Sequence, residues 1–452
     1  MEKVSGSIRE WLTHSAFLRV LFISVVILLL QIPISMISGQ VSERQVTHKK
    51  AIHDVTSKWG YAQNIDGPRL VIPYYEVSTW KNNEGELEQS RTKRFATFLP
   101  ETLTVKARVD NEVRYRGIFE IPLYKTDVNL QGRFKKPDFS RWGIDPALIL
   151  WRQAELVMGV SDARGIRKQT YVHWNSHKLA FEPGLGKSSS HLPGFHTNVG
   201  GAFSEETFEY KISLTLNGSQ HLYFSPLGKE STIHLESDWP DPSFQGYKLP
   251  TQRTVSTSGF NAQWSISSIS RGYPQYWLQH HFDMNKFTNS RVGVDFISPV
   301  DSYRMTERSI KYVMLFLIFT FVAIWLVEVI ARVRVHLLQY LLVGLGMSLF
   351  YLLLLAFSEH IGFVWAYIVA SIAVVMLIAL YSRVVLKSSK RAGLMGVGIS
   401  ALYLYLFTLL QEQNYALLLG SVGIFSMLAG IMYITRNIDW YEAGKKEQYD
   451  GE

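Results

Sequence analysis

Three sets of histidines and one glycine-rich loop are the places where this chain could do chemistry. His280, His281 and Asp283 offer ligands to a metal ion, as do His173 with His177 and His191 with His196. Neighbouring residues on a strand point to opposite faces, so His280 and His281 cannot both reach one ion without a bend. The spacing of His173 and His177 suits a helix, but their surroundings read as strand and loop. All are therefore read as surface histidines, and no metal is expected. Gly184-Leu185-Gly186-Lys187-Ser188 resembles the end of a phosphate-binding loop, yet Phe181 stands where the first required glycine belongs. That segment is read as a plain loop. No serine sits in a Gly-x-Ser-x-Gly elbow and no His-Glu-x-x-His motif occurs. With no cysteine, a thiol nucleophile, a thiolate metal site and a disulfide framework are all excluded. No catalytic residue and no cofactor is nominated, and the chain is not expected to be an enzyme.

Ser161-Asp162-Ala163-Arg164-Gly165-Ile166 holds an acid and a base two residues apart, with a glycine beside them. It is read as a turn in which Asp162 and Arg164 bond local backbone, with a binding loop as the alternative. Glu328 lies four residues before Arg332 and is read as half of an interfacial ion pair. Glu359 and His360 are expected in a solvated turn.

The elements that must position these residues fall into a simple order. Residues 20–37 are apolar and uncharged, at the lower end of the roughly 17 to 25 residues a bilayer-crossing helix needs. Lys3, Arg9 and Arg19 precede them as they would a signal peptide, but no pair of small residues marks a cleavage site, so an uncleaved anchor is expected. Five more apolar runs, 312–330, 337–357, 361–381, 392–410 and 415–434, crowd the C-terminal part. Arg332 and Arg334, then Arg383, Lys387, Lys390 and Arg391, then Arg436, Lys445 and Lys446 alternate with loops that carry no basic residue. By the positive-inside rule this puts both termini in the cytoplasm and residues 38–311 outside. The small-xxx-small pairs Gly344/Ser348, Ala392/Gly396 and Ser426/Gly430 suit close helix packing and leave oligomer formation open.

The formal charge of +8 does not point to nucleic acid, because much of the basic excess lies in these cytoplasmic loops. The lipid bilayer is the expected partner, together with an unidentified periplasmic or envelope component. Residues 38–311 read as β-rich and large enough to stand on their own core, as one domain or two lobes split near residues 184–201. Leu103, Val105, Ala107 and Val109 alternate with polar residues up to a turn expected at Asp110-Asn111. Ile212, Leu214 and Leu216 lead to Asn217-Gly218, a dipeptide suited to a hairpin turn before Leu222 and Phe224. A strand over residues 232–236 should stop at Trp239-Pro240-Asp241-Pro242. The fold class expected is a membrane protein of α+β type. It has six transmembrane helices, one N-terminal and five C-terminal, and an antiparallel sandwich or pair of packed sheets between the first and second.

Ordered stretches along nearly the whole chain resemble the CreD family of bacterial inner-membrane proteins. They are SDARGI (161–166), EPGLG (182–186), SDWPDPSFQG (237–246), SGFNAQW (258–264), TERSIKY (306–312), QYLLVGLGMSLFYLLLLAFSEHIGF (339–363) and TRNIDWY (435–441). Ser161 departs from the glycine usual at the start of the first motif. The resemblance implies an inner-membrane protein with a large periplasmic domain, made under two-component control in response to envelope stress such as β-lactam exposure. No molecular activity is established for the family, so only motif positions carry over: Asp162, Arg164, Trp239, Glu307, Arg308, Lys311, Arg436, Asp439 and Trp440. Thr306 is placed to cap a helix whose Glu307, Arg308 and Lys311 form a charged collar between outer domain and bundle. Arg436, Asp439 and Trp440 sit as an interfacial anchor. The function expected is non-enzymatic envelope maintenance. Transport or lipid handling by the bundle, and a periplasmic cell-wall hydrolase, are the alternatives.

Overall fold

The computed structural model describes residues 16–81, 85–186, 193–201, 205–279, 285–296, 302–331, 335–412 and 415–436. The chain forms two compact units, Lys50–Pro299 and a second that combines Met1–Lys49 with Val300–Glu452.

Helix α1, Ala16–Trp59, opens the chain and runs well past the expected end of the first span, with Pro33 inside it. Val26, Leu30, Ile34, Ile37 and Val41 are buried, a three-to-four-residue spacing that puts them on one face. After the short α2, Asn285–Ser290, come α3, Ser302–Lys311, and α4, Val313–Ala331. The axis bends by 47° between α3 and α4. There the amide of Tyr312 bonds Ser309, three residues back, instead of the residue four back. Helices α5, Leu337–Ile361, α6, Phe363–Val385, α7, Ser389–Gln411, and α8, Ala416–Thr435, complete the helical unit. Among the described residues five helices are long and apolar enough to cross a membrane, or six if bent α3–α4 counts as one span.

Two of the three small-residue pairs make close contacts. A side chain at Gly344 would strike Leu30 of α1 at 2.2 Å and Phe321 of α4 at 2.9 Å, and Gly396 lies against Ala379 of α6. Gly430 faces open space, so the Ser426/Gly430 pair joins nothing among the described residues. No described residue of α8 is buried.

The other unit is built from strands. In chain order they are β1 Gln63–Lys81, β2 Leu87–Phe98, β3 Thr102–Arg116, β4 Phe119–Lys135, β5 Glu155–Val160, β6 Tyr171–Trp174, β7 His177–Ala180, β8 Glu182–Pro183 and β9 Gly194–Asn198. Then follow β10 Thr207–Ser219, β11 His221–Phe224, β12 Glu230–Ser237, β13 Pro242–Gly246, β14 Gln252–Ser256, β15 Gly259–Ser267, β16 Tyr276–Leu278 and β17 Val292–Phe296. One sheet runs β13-β17-β11-β1-β5-β9-β8, with β2 also on β1 and β16 on β2; the other runs β14-β15-β12-β3-β4-β10-β6-β7. Pairing is antiparallel except for β1 with β11 and β3 with β12. Alternate residues of β3, β4, β10, β12 and β15 are buried in a core shared with Leu70, Leu156 and Val294 of the first sheet. Thr232–Glu236 lies within β12 as expected, and Pro242 begins edge strand β13, where its missing amide costs no central ladder bond.

Two expected turns are not turns. Asp110 and Asn111 stay in the ladder opposite Lys125 and Tyr124, and β3 turns instead at Gly117, whose φ is +62°. Asn217-Gly218 is also paired with β4; Gln220, at φ +62°, carries the chain from the second sheet into the first. The glycine serves a distant partner, since any side chain at 218 would lie 2.3 Å from the Tyr124 ring. On either side of residues 187–192, β8 and β9 form one edge of the first sheet, and Lys50–Pro299 is one compact unit.

Candidate functional site

The SDARGI stretch follows β5, whose residues are all buried, and so emerges at the end of the sandwich where α1 terminates. Asp162 adopts an extended backbone and caps a 3₁₀ turn over Ala163–Gly165, its Oδ1 accepting from the Arg164 amide at 3.2 Å. The Arg164 side chain donates from Nε to Oδ1 at 2.8 Å and from Nη2 to Oδ2 at 3.2 Å, while the Tyr61 amide donates to Oδ2 at 2.9 Å. The remaining Arg164 nitrogen, Nη1, donates to the Ser57 carbonyl at 3.3 Å. That carbonyl lies in the last turn of α1, where backbone acceptors lack helical partners and a cation is favoured. Gln63 joins the cluster by donating to the carbonyls of Asp162 and Asn217, at 3.1 and 3.0 Å. Gly165 is required by packing, because a side chain there would approach the Asn217 carbonyl to 2.4 Å.

Burial pushes the Asp162 carboxyl up, but hydrogen bonds from Arg164 and from the Tyr61 and Arg164 amides outweigh it and hold the group below its usual range. Both oxygens are taken by donors inside the unit. The motif is thus a latch joining α1, β1, β5 and β10, more extensive than the local turn read from the sequence. Ser161 adds to it: its hydroxyl donates to the Ala62 carbonyl at 2.6 Å and accepts from the Asn64 amide at 2.9 Å.

Trp239 is half-buried, edge-on to Phe296 at 6.3 Å, and its indole donates to the Asp241 carbonyl at 3.0 Å. It folds the Trp-Pro-Asp-Pro bend back on itself. Asn111, where the sequence suggested a turn, donates from its amide to Asp238 and from its side chain to Ser237 and Asp238, which ties the same bend to β3.

In the helical unit, Thr306 is inside α3 and donates to the Ser302 carbonyl at 2.8 Å, so it caps nothing and the helix starts earlier than expected. Glu307 and Lys311 pair at 3.1 Å with both side chains exposed, an interaction that contributes little. Arg308 points elsewhere: its guanidinium donates to the carbonyls of Leu410 and Leu409 at 3.2 and 3.3 Å, closing the C-terminal end of α7. The collar is therefore split between an exposed pair and a helix cap. Arg436 rests its guanidinium 4.1 Å from the Tyr433 ring centre. Asp439 and Trp440 lie outside the described residues, as do His191, His280, His281, Asp283, Lys187 and Ser188.

Of the two acids near helix ends, Glu359 differs from expectation. Glu328 is buried and accepts from the Val335 amide at 3.1 Å and the Tyr340 hydroxyl at 3.0 Å; Arg332 lies outside the described residues. Glu359 belongs to the end of α5 and is largely buried, accepting from Tyr303 at 2.9 Å with Arg44 at 3.7 Å. A cavity between α4, α5, α6 and α7 measures about 20 Å³, room for about one water.

Some buried polar groups gave no local signal. Asp66 on β1 and Arg291 before β17 form a two-pronged pair, Nη2 to Oδ2 at 2.7 Å and Nε to Oδ1 at 3.1 Å, at 1% and 9% exposure. Beside them His221 stacks on Tyr223 at 4.3 Å, and the Tyr223 hydroxyl donates to Asp295, the residue paired with His221 across the strands. Burial holds the His221 imidazole below its usual value, with Asp295 pulling it up and Arg291 down.

The family model described as inner membrane protein CreD matches residues 15–441. The chain belongs to the CreD family. It is similar to the inner membrane protein CreD of Escherichia coli (strain K12), 34% identical over 418 residues, covering 92% of this chain and 91% of the relative. Membership makes this a multi-pass inner-membrane protein with a β-rich domain between its first two spans. CreD is not a known enzyme family. Among the described residues no three His, Asp or Glu side chains could share a metal ion. His173 and His177 sit on adjacent strands, and His196 bonds the Gly184 carbonyl.

Proposed function

We propose that this CreD-family protein contributes to cell-envelope integrity under envelope stress without catalysing a reaction. In this reading its sheet unit lies in the periplasm and binds an envelope component or partner, its helices hold it in the inner membrane, and both termini are cytoplasmic. The observation that carries the reading is the far end of the β1–β2 pair. The two strands stay in register from Leu70 opposite Phe98 out to Lys81 opposite Leu87. Beyond Tyr74, no third strand joins them among the described residues. A bare two-stranded ribbon is marginal by itself and offers open backbone edges. This one also turns apolar side chains outward: Val77, Trp80 and Leu87 are 37%, 46% and 69% exposed. Exposed aromatic and aliphatic groups on a strand edge suit a partner that adds a strand and covers them.

A photo-crosslinker at exposed Ser78 of the full-length protein in living cells is expected to trap a discrete species. Trp80→Asn with Leu87→Asn should abolish both the crosslink partner's capture and protection of the envelope under β-lactam stress. No crosslinked species, together with full protection by the double variant, would sink the proposal. Orientation has its own test in this cysteine-free chain: a cysteine at exposed Ile269 should react with an impermeant thiol reagent in intact cells and one at Ser389 should not. Equal labelling would overturn the periplasmic placement.

A further inference from the structure

Three adjacent strands of the first sheet, β13, β17 and β11, carry a row of polar side chains that the latch and the ribbon do not use. Leu222, Val292 and Val294 face the core, so His221, Tyr223 and Asp295 stand on the opposite face. Register places Ser243 on one side of Asp295 and His221 on the other. Against this row lies a cavity of about 290 Å³, bounded by Ile52 and Thr56 of α1, Ile121 and Pro122 of β4, and His221 and Asp295. Its polar lining comes from Thr56, Gln220, His221 and Asp295, and its apolar lining from Ile52, Ile121, Pro122 and Phe296.

Charge narrows the ligand. Asp295 repels an anion. A cation gains little, because the carboxylate already accepts the Tyr223 hydroxyl and the positive charge of Arg291 acts on the same spot. Gln220 adds an amide, both donor and acceptor, to the polar lining. A neutral ligand with several hydroxyls would use the acceptors and donors together while its ring carbons covered the apolar side. The volume is at the small end of the roughly 300–1,000 Å³ typical of ligand pockets, which suits one ring and not a chain of them. We propose that this cavity binds a single saccharide ring, free or at the end of a glycan. The site is separate from the exposed ribbon, so either proposal can fail alone.

The test uses the full chain in lipid nanodiscs, prepared without glycosidic detergent, with glucose, N-acetylglucosamine, a chitin trisaccharide and ethanolamine titrated by calorimetry. At least one sugar should bind saturably. Asp295→Asn should weaken it about tenfold, the effect of losing a charge-assisted hydrogen bond. Ile121→Trp, which fills the cavity from its apolar side, should abolish binding with the near-ultraviolet dichroism of the domain retained. Tighter binding of the monosaccharides than of the trisaccharide assigns a free ring, and the reverse a glycan end. Binding of ethanolamine alone, sugar binding untouched by both variants, or no binding of any probe by folded wild-type protein would each overturn the assignment.

Discussion

The sheet unit and the helical unit solve the problem of buried polar groups in opposite ways. In the sheet unit the ion pair Asp66–Arg291 joins residues 225 positions apart, and the latch at Asp162 accepts from the Tyr61 amide and the Gln63 side chain and reaches the Ser57 carbonyl through Arg164. In the helical unit most side-chain hydroxyls bond the carbonyl three or four residues back, as do Ser309, Ser348 and Ser358. The glycines divide the same way. In the sheets they admit a facing backbone, as at Gly132, where a side chain would stand 1.9 Å from the Thr102 carbonyl oxygen. Among the helices, Gly393, Gly398, Gly420 and Gly430 meet nothing among the described residues, and Gly344 is a notch for a side chain. A strand leaves its polar groups to be met by another strand, whereas a helix satisfies its own. The sheet unit therefore depends on distant partners, and the helical unit on local bonds and a few contacts.

This contrast can be broken by substitution. Arg291→Ala should have the largest effect, about 3–5 kcal/mol, because it strands the Asp66 carboxylate in the interior. Hydrogen exchange should show protection falling across β1, β11 and β17 while α5 to α7 are unchanged; loss confined to residues next to 291 would contradict a cooperative sheet unit. Gly344→Leu overfills the notch against Leu30 and Phe321 and should cost about 1–3 kcal/mol, whereas Gly430→Leu should cost nothing measurable. Equal thermal stability of the two variants in nanodiscs would remove the distinction between them.

Asp162→Asn should destabilise the sheet unit by about 1–2 kcal/mol at neutral pH, since the charge-assisted bonds from Arg164 are weakened. The folded carboxyl titrates below its usual value, so its contribution is present above the ordinary carboxylate range and lost as pH falls through the folded value. The gap between wild type and variant should close on acidification, and a gap constant with pH would argue against a charged latch. The smallest effect is expected at His221. Its folded value is lowered, so stability is full above the unfolded value near 6.5 and declines as pH drops below it. His221→Gln should flatten that decline in melting curves taken between about pH 7.5 and about pH 5.

How much was legible follows from the same distinction. The apolar runs marked the helices, and alternation marked β3, β10 and β12, because both signals are carried by residues close in sequence. Asn217-Gly218 misled for the converse reason: its glycine answers to Tyr124, a residue of another strand. The latch was partly visible, since Asp162 and Arg164 are neighbours, but its targets at Ser57, Tyr61 and Asn217 were not. Glu359 was read as solvated because Arg44 and Tyr303 come from other helices.

The sequence alone determined the number and length of apolar segments, the β-rich stretch between them and the family, all properties of local pattern or ordered motif. Only the tertiary structure decided which strands are neighbours. The parallel pairing of β1 with β11 sets Ile65 beside Phe224, and that pairing brings Asp66 to Ser225 and Arg291. Pairing at such separation rests on packing summed over the whole core, and no window of sequence contains it.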